Sequence, residues 1–114
     1  MKINSFLEKL KSTPNTIDFK ETMEVVEANY NFTETAFKNG ETFNEAGQNS
    51  GSCKLFAFSK LNKLNKEETL ACFGDYYRKD VLENPENTDH ANIRNFIKHG
   101  WEGIEFKGEA LKIK

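Results

Sequence analysis

The sequence predicts one α+β domain, residues 1–114, that is mostly helical, with five helices and a small antiparallel sheet or hairpins. Three observations support this prediction. Apolar residues recur at helical spacing in several segments, an Asn-Gly pair divides a group of strand formers, and an alternating run lies near the C-terminus. A chain of 114 residues can bury one modest core, and because ten of them are Phe, we expect aromatic packing to dominate it.

The first two helices are indicated by periodicity and by a capping pair. An amphipathic helix begins at Ile3 and ends near Pro14, since proline cannot continue a helix and restricts the residue before it. A second helix is expected over residues 20–29, where Asp18 and Glu21 have the spacing of a capping pair. The apolar faces consist of Ile3, Phe6, Leu7 and Leu10 in the first helix and of Phe19, Met23, Val26 and Tyr30 in the second.

Strand formers replace this pattern between residues 31 and 45. Aromatic residues and threonines alternate there with polar residues, and Asn39-Gly40 is the strongest hairpin signal in the chain. We therefore predict a hairpin, with a helical turn over residues 33–37 as the alternative.

Three further helices follow. The helix over residues 52–63 is apolar around much of its girth, which indicates a central position. Asn65 and Glu68 cap the next helix, which is expected to continue until just before residue 84. Thr88 or Asp89 caps the last helix, and Gly100 ends it.

The segment after the last helix alternates like a strand. Apolar and charged residues succeed one another over residues 103–107. Residues 110–113 are expected to be the antiparallel partner of this strand, with Gly108 in the connection.

Charge and cysteine content exclude several classes of protein. The formal net charge is −2 and the pI is near 5.7, so no positive field draws the chain to nucleic acid or to an acidic membrane. Two cysteines do not make a disulfide framework, which favours a cytoplasmic setting, although a Cys53–Cys72 bridge stays open. Because Cys53, Cys72, His90 and His99 lack the spacing of a zinc site, we expect no metal and no cofactor.

Residues 48–53, called the 48–53 loop from here on, contain the strongest candidate for chemistry. Cys53 stands in or just before the first turn of the predicted helix, where the helix dipole and unpaired N–H groups favour a thiolate. The segment resembles the nucleophile region of papain-type proteases, which implies Cys53 as nucleophile, Gln48 as oxyanion donor, and His90 or His99 as base. The alternative is that Cys53 is a small core residue.

A second polar group surrounds the start of the last helix. Asp89, His90, Asn92 and Arg94 either line a site or cap the helix and hold the preceding loop. The residues expected to contact a ligand or partner are Asn49, Ser52, Tyr76, Arg78, Asp89, Asn92 and Arg94.

Several ordered blocks of the chain resemble the HopJ type III effector family. One block is Ala46-Gly47-Gln48-Asn49-Ser50-Gly51-Ser52-Cys53-Lys54, and the others are residues 30–33, 36–40, 71–78, 88–94 and 100–101. The resemblance extends from about Asp18 to Leu111 and implies secretion into a host cell by a type III system, with no settled biochemical activity. A helix that begins at Ile3 leaves little of the flexible N-terminal segment in which type III signals lie.

Two function classes follow from these features. The first is a small non-catalytic protein that binds an unknown protein or small molecule through the 48–53 loop and the start of the last helix. The second is a thiol-dependent hydrolase or transferase with Cys53 as nucleophile. A third hypothesis treats the same polar groups as loop scaffolding.

Overall fold

A computed structural model describes residues 2–114 and confirms an α+β fold. The α-helices are α1 (Ile3–Ser12), α2 (Phe19–Asn29), α3 (Ser50–Leu61), α4 (Lys66–Ala71) and α5 (Ala91–His99). The strands are β1 (Tyr30–Phe32), β2 (Phe37–Asn39), β3 (Thr42–Asn44), β4 (Ile104–Phe106) and β5 (Leu111–Ile113). A π-helix spans Tyr76–Val81, and 3₁₀ turns span Pro14–Thr16 and Gly100–Gly103. No helix in this part of the chain has the length and apolar content that a membrane crossing requires.

The two N-terminal helices form where local signals predict them. The apolar stripe of α1 buries Phe6 and Leu10 against the rest of the domain. Helix α2 begins after Asp18, whose carboxylate accepts a hydrogen bond from the backbone N–H of Glu21 at 2.7 Å. This bond satisfies one of the N–H groups that have no partner within the helix.

The strands build one antiparallel ribbon that carries a short break. β1 pairs with β5 and β2 pairs with β4 in the same register, and two backbone bonds, Thr33 N–H to Ala110 O and Lys107 N–H to Ala36 O, continue that register toward the break. β3 joins the other edge of β2 through the predicted hairpin, whose turn contains Gly40 at a φ of 59°. The helical turn considered for residues 33–37 does not form.

The predicted pairing of the last two strands across Gly108 is wrong. β4 and β5 follow one another along the same side of the ribbon, and each pairs with a strand from residues 30–39. Gly108 lies between them in the break rather than in a reversing turn. Ladder bonds to the earlier strands thus replace the local hairpin that alternation and a glycine favoured.

The predicted single helix from residue 65 to about 83 is also wrong. Asn65 and Glu68 do form a reciprocal capping box, but α4 ends at Ala71 and the chain resumes as a π-helix at Tyr76. Gly74 has a φ of 63°, and a Cβ added to it would stand 2.8 Å from the Cα of Asp18. The break therefore lets this segment touch the start of α2, an approach that only glycine permits.

The core is aromatic, and α3 runs through it. Phe56 is fully buried, and its ring lies 5.0 Å from that of Phe96, 5.5 Å from that of Phe73, 6.1 Å from that of Phe37 and 6.4 Å from that of Trp101. Tilted and edge-to-face aromatic pairs of this kind add to the stabilisation that burial alone provides. The N-terminus of α3 is partly exposed and lies close to the first turn of α5.

Candidate functional site

The first turns of α3 and α5 meet at an open pocket of about 460 Å³. We call it the α3–α5 pocket. Five of the ten predicted site residues line it, namely Asn49, Ser52, Tyr76, His90 and Asn92. Phe19, Phe73, Thr42 and the first-turn residues Gly51, Ala91 and Ile93 complete the lining. Sequence positions about forty residues apart thus contribute to one concave surface.

Both helices begin at the pocket with an unusual residue. Asn49 precedes α3 with a φ of 51°, and His90 precedes α5 with a φ of 52°. Non-glycine residues rarely occupy this left-handed region, where Asn and His are tolerated best, and each such residue costs about 1–3 kcal/mol. Neither helix has a side-chain cap or an acidic residue in its first turn, so side chains of the described residues leave the terminal N–H groups unused.

A network of asparagine amides supports this side of the pocket. Asn92 is 6% exposed, and its Oδ1 accepts from Nδ2 of Asn39 at 3.0 Å and from Nδ2 of Asn44 at 3.1 Å. Its own Nδ2 donates to Oδ1 of Asn44 at 3.0 Å, and Asn49 donates to the same oxygen at 2.6 Å. Hydrogen bonds between the amide side chains of β2, β3, the 48–53 loop and α5 therefore fix the pocket wall.

The sequence does not mark Asn39 and Asn44 as site residues. The Asn-Gly signal predicts Asn39 as a turn residue of the hairpin, whereas it is the last residue of β2, and Asn44 is the last residue of β3. Both are almost fully buried, which is uncommon for asparagine unless its amide is hydrogen-bonded. No local pattern joins them to Asn92, because the network crosses more than forty positions of the chain.

Another part of the pocket wall is aromatic. Tyr76 is 46% exposed, and its ring lies 5.4 Å from that of Phe19 and 5.3 Å from that of His90. Phe19 in turn stacks on Phe73, with ring centroids 6.1 Å apart. A Cβ added to Gly51 would stand 2.8 Å from the Phe19 ring, so glycine at this position lets α3 approach the aromatic wall closely.

His90 also contacts a carboxylate that the sequence did not reveal. Its Nε2 lies 3.1 Å from Oδ2 of Asp80 and 3.9 Å from Oδ2 of Asp89. Asp80 belongs to the π-helix, and the ten-residue separation from His90 matches no helical or strand spacing. The contact with Asp80 orients the imidazole ring beside the pocket.

Cys53 does not line the pocket, and the prediction of a stabilised thiolate is wrong. Cys53 is the fourth residue of α3, is 1% exposed, and donates its thiol proton to the backbone oxygen of Thr35 at 3.6 Å. Burial raises the pKa of the Cys53 thiol to about 11, because desolvation outweighs the favourable contacts of the sulfur. Cys53 and Cys72 are both buried free thiols, so no bridge joins them.

The other predicted site residues make contacts outside the pocket. Gln48 accepts a hydrogen bond from the backbone N–H of Glu45 at 3.1 Å and so closes a turn. Arg78 donates to the backbone oxygens of Ile17, Pro14 and Ala71, and thereby holds three segments together.

Arg94 and Asp89 pair with each other. Arg94 donates to the carboxylate of Asp89 at 2.8 Å and to its backbone oxygen at 2.6 Å. The hydrogen bond from this guanidinium lowers the pKa of the Asp89 carboxyl. Within residues 2–114, no three His, Cys, Asp or Glu side chains are placed to hold a metal ion.

Comparison with known proteins gives two matches. The family model described as HopJ type III effector protein matches residues 3–111. VPA0580, a protein of unknown function with a crystal structure, is 58% identical to this chain in sequence, and the two structures superpose with a TM-score of 0.99. That match covers 100% of this chain and 95% of the other, whereas no curated protein matches. The chain therefore belongs to the HopJ type III effector protein family.

Proposed function

We propose that this member of the HopJ family is a small non-catalytic binding protein whose ligand occupies the α3–α5 pocket. The observation that carries the proposal is the convergence of Asn49, Ser52, Tyr76, His90 and Asn92 on one concave surface. Small-molecule sites in proteins have volumes of about 300–1,000 Å³ and combine apolar walls with a few polar groups. A pocket of about 460 Å³ with one aromatic and one amide wall fits that description.

The lining indicates a ligand with one apolar or aromatic part and one part that accepts hydrogen bonds. Phe19 and Tyr76 offer ring surface to an apolar or aromatic part of the ligand. On the other side, Asn49 and Ser52 can donate hydrogen bonds, and so can the backbone N–H groups of the first turns, which suits carbonyl or other acceptor groups. A ring that carries acceptor groups on one edge would satisfy both walls.

Preorganisation supports a binding role. The amide network holds Asn49 and Asn92 in place before any ligand arrives, so fewer rotamers need to be fixed on binding. The left-handed residues Asn49 and His90 place the first turns of α3 and α5 around the same space. Backbone strain of this kind is characteristic of ligand sites.

No observation favours the thiol-dependent hydrolase. A nucleophilic cysteine needs an exposed thiolate within reach of a base, whereas Cys53 lies in the core with a raised pKa.

A fragment screen tests the proposal. Ligand-observed NMR would be run on the wild type, on Ala91→Trp, which fills the pocket from an exposed position, and on Ala28→Trp, a matched control on the exposed face of α2. We expect hits with a ring and acceptor groups that bind the wild type and A28W alike and bind A91W about tenfold more weakly or worse. Hits that bind A91W as well as the wild type would contradict the proposal.

We also propose that the protein is made in the bacterial cytoplasm and can be delivered into a host cell by a type III system. Membership of a family described as type III effectors supports this proposal. A translocation reporter fused to the C-terminus would be followed in a secretion-competent strain and in an isogenic secretion-defective strain. Reporter signal in host cells from the first strain alone is the expected result, and equal signal from both strains would contradict it.

A further inference from the structure

A second groove adjoins the α3–α5 pocket at Tyr76. Its floor is aromatic, since Phe19, Phe73 and Tyr76 line it as well as the α3–α5 pocket, and its volume is about 260 Å³. Asp18, Lys20, Asp75 and Asp80 form its rim. We call this surface the Tyr76 groove. We infer that it docks the arginine side chain of a basic segment in a protein partner.

The charge of the rim selects a cation. Three carboxylates line the groove, together with a single ammonium group, that of Lys20. The ion pairs of Asp75 with Arg78 and Lys79 are long, at 3.7 and 3.9 Å, and its side chain is 65% exposed. Exposed pairs of this length contribute little, so they leave the carboxylate available to a partner.

Asp18 and Asp80 each keep one carboxylate oxygen available. Oδ1 of Asp18 caps α2, and Oδ2 of Asp80 faces His90. In residues 2–114 the second oxygen of each carboxylate accepts no hydrogen bond from the protein. A planar guanidinium with several donors can reach more than one of these oxygens at once, which a lysine ammonium does less well.

The aromatic floor favours the same side chain. Tyr76 is 46% exposed and is braced by Phe19, so its ring is held in place while part of it remains open to solvent. Arginine stacks on aromatic rings and keeps its outer donors free for carboxylates. Aromatic floor and acidic rim together therefore point to arginine rather than to a neutral or acidic side chain.

An arginine peptide provides the test. A tetra-arginine peptide would be titrated into the ¹⁵N-labelled protein at low ionic strength, where surface electrostatics are least screened, with a tetra-glutamate peptide as the probe of opposite charge. We expect the amides of Lys20, Asp75 and Tyr76 to shift and saturate with tetra-arginine only. The inference is overturned by the absence of binding, or by shifts confined to the acidic loop of residues 83–89.

Charge variants separate a specific groove from general attraction. Asp18→Asn with Asp75→Asn removes two rim charges while asparagine still caps α2, and Glu24→Gln with Glu109→Gln removes two exposed charges elsewhere. The rim variant should weaken tetra-arginine binding about five- to tenfold and the control about twofold or less. Equal weakening by both would overturn the inference. Should the rim variant fail to fold, D75N alone makes the same comparison at an exposed residue.

The proposals for the Tyr76 groove and for the α3–α5 pocket can be refuted independently of each other. Ala91→Trp fills the α3–α5 pocket but lies outside the Tyr76 groove. Tetra-arginine should therefore bind A91W as it binds the wild type. Loss of peptide binding in A91W would place the peptide in the pocket and overturn the inference.

Discussion

Replacement of Asn92 by alanine should strongly destabilise the fold. The change removes three side-chain hydrogen bonds, of 3.0, 3.1 and 3.0 Å, to Asn39 and Asn44. Asn39 keeps its bond to the backbone oxygen of residue 92, and Asn49 still bonds to Asn44, but Nδ2 of Asn44 keeps only a 3.4 Å contact with the oxygen of Phe37. At about 0.5–1.5 kcal/mol for each bond, and more for a buried donor left without a good partner, the expected loss is about 2–4 kcal/mol.

Urea unfolding followed by circular dichroism measures this loss. A domain of this kind has a total stability of about 5–15 kcal/mol, and 1 kcal/mol shifts the Tm of a small domain by about 4–8 °C. N92A should therefore melt at least about 8 °C below the wild type. Asn87→Ala, in the exposed loop before α5, is the matched control and should change stability by less than about 0.5 kcal/mol. A value for N92A as small as that of the control would refute a stabilising amide network.

Four further predictions concern Cys53, Gly74 and Arg78. Iodoacetamide should not modify Cys53 in the folded protein at pH 9.0, the ordinary pKa of a thiol, because Cys53 is buried with its pKa raised to about 11; mass spectrometry that finds Cys53 labelled in the native protein would contradict this. Because the pKa of Cys53 in the folded protein exceeds the ordinary value of 9.0, the contribution of the protonated thiol to stability is complete below pH 9.0 and is lost as the pH rises toward 11. The free energy of unfolding should therefore fall less over this pH range in C53A than in the wild type. Gly74→Ala should lower the free energy of unfolding in urea by more than about 1 kcal/mol, because residue 74 has a φ of 63°. Gly108→Ala is the control and should lower it clearly less, since the nearest atom to the added Cβ would be 3.6 Å away. Equal losses in the two variants would contradict the close approach at Gly74. Arg78→Ala should cost about 1–3 kcal/mol, measured in the same way, because the backbone oxygen of Ile17 loses a charged donor; an unchanged midpoint would contradict a structural role.

The helices could largely be predicted from the sequence because their signals are local. Periodicity and the Asp18 cap place α1 and α2 within a residue or two of their observed bounds. The prediction that the helix after Asn65 continues past residue 71 is wrong because of a contact between distant parts of the chain. Gly74 breaks it so that the chain can contact the start of α2, some fifty positions earlier.

Strand pairing was predictable only where it is local. Asn39-Gly40 indicates the hairpin of β2 and β3, but nothing near β5 indicates β1, which lies about eighty residues away. A short alternating segment after a glycine can equally well be half of a hairpin or a strand in a longer ribbon. Only the long-range hydrogen bonds decide between the two arrangements.

The candidate site was predicted in part, because the chemistry of helix starts is local. Polar residues at the starts of α3 and α5 were recognised from the sequence, and Asn49, His90 and Asn92 do line the pocket. The dipole argument for Cys53 failed because its side chain faces the core, where the desolvation of a thiolate outweighs the dipole. Asp80 reaches the site only through tertiary packing, so the sequence held no signal for its role.

Amide chemical-shift mapping of the first fragment that binds the wild type decides whether the α3–α5 pocket is the binding site. The fragment would be titrated into ¹⁵N-labelled protein, with A91W measured in parallel. We predict saturable shifts at the amides of Gly51, Ser52 and Ala91 in the wild type, and loss of the Gly51 and Ser52 shifts in A91W. Shifts that cluster instead at Leu61 and Leu111, in the groove between α3 and β5, and persist in A91W would contradict a ligand site at the starts of α3 and α5.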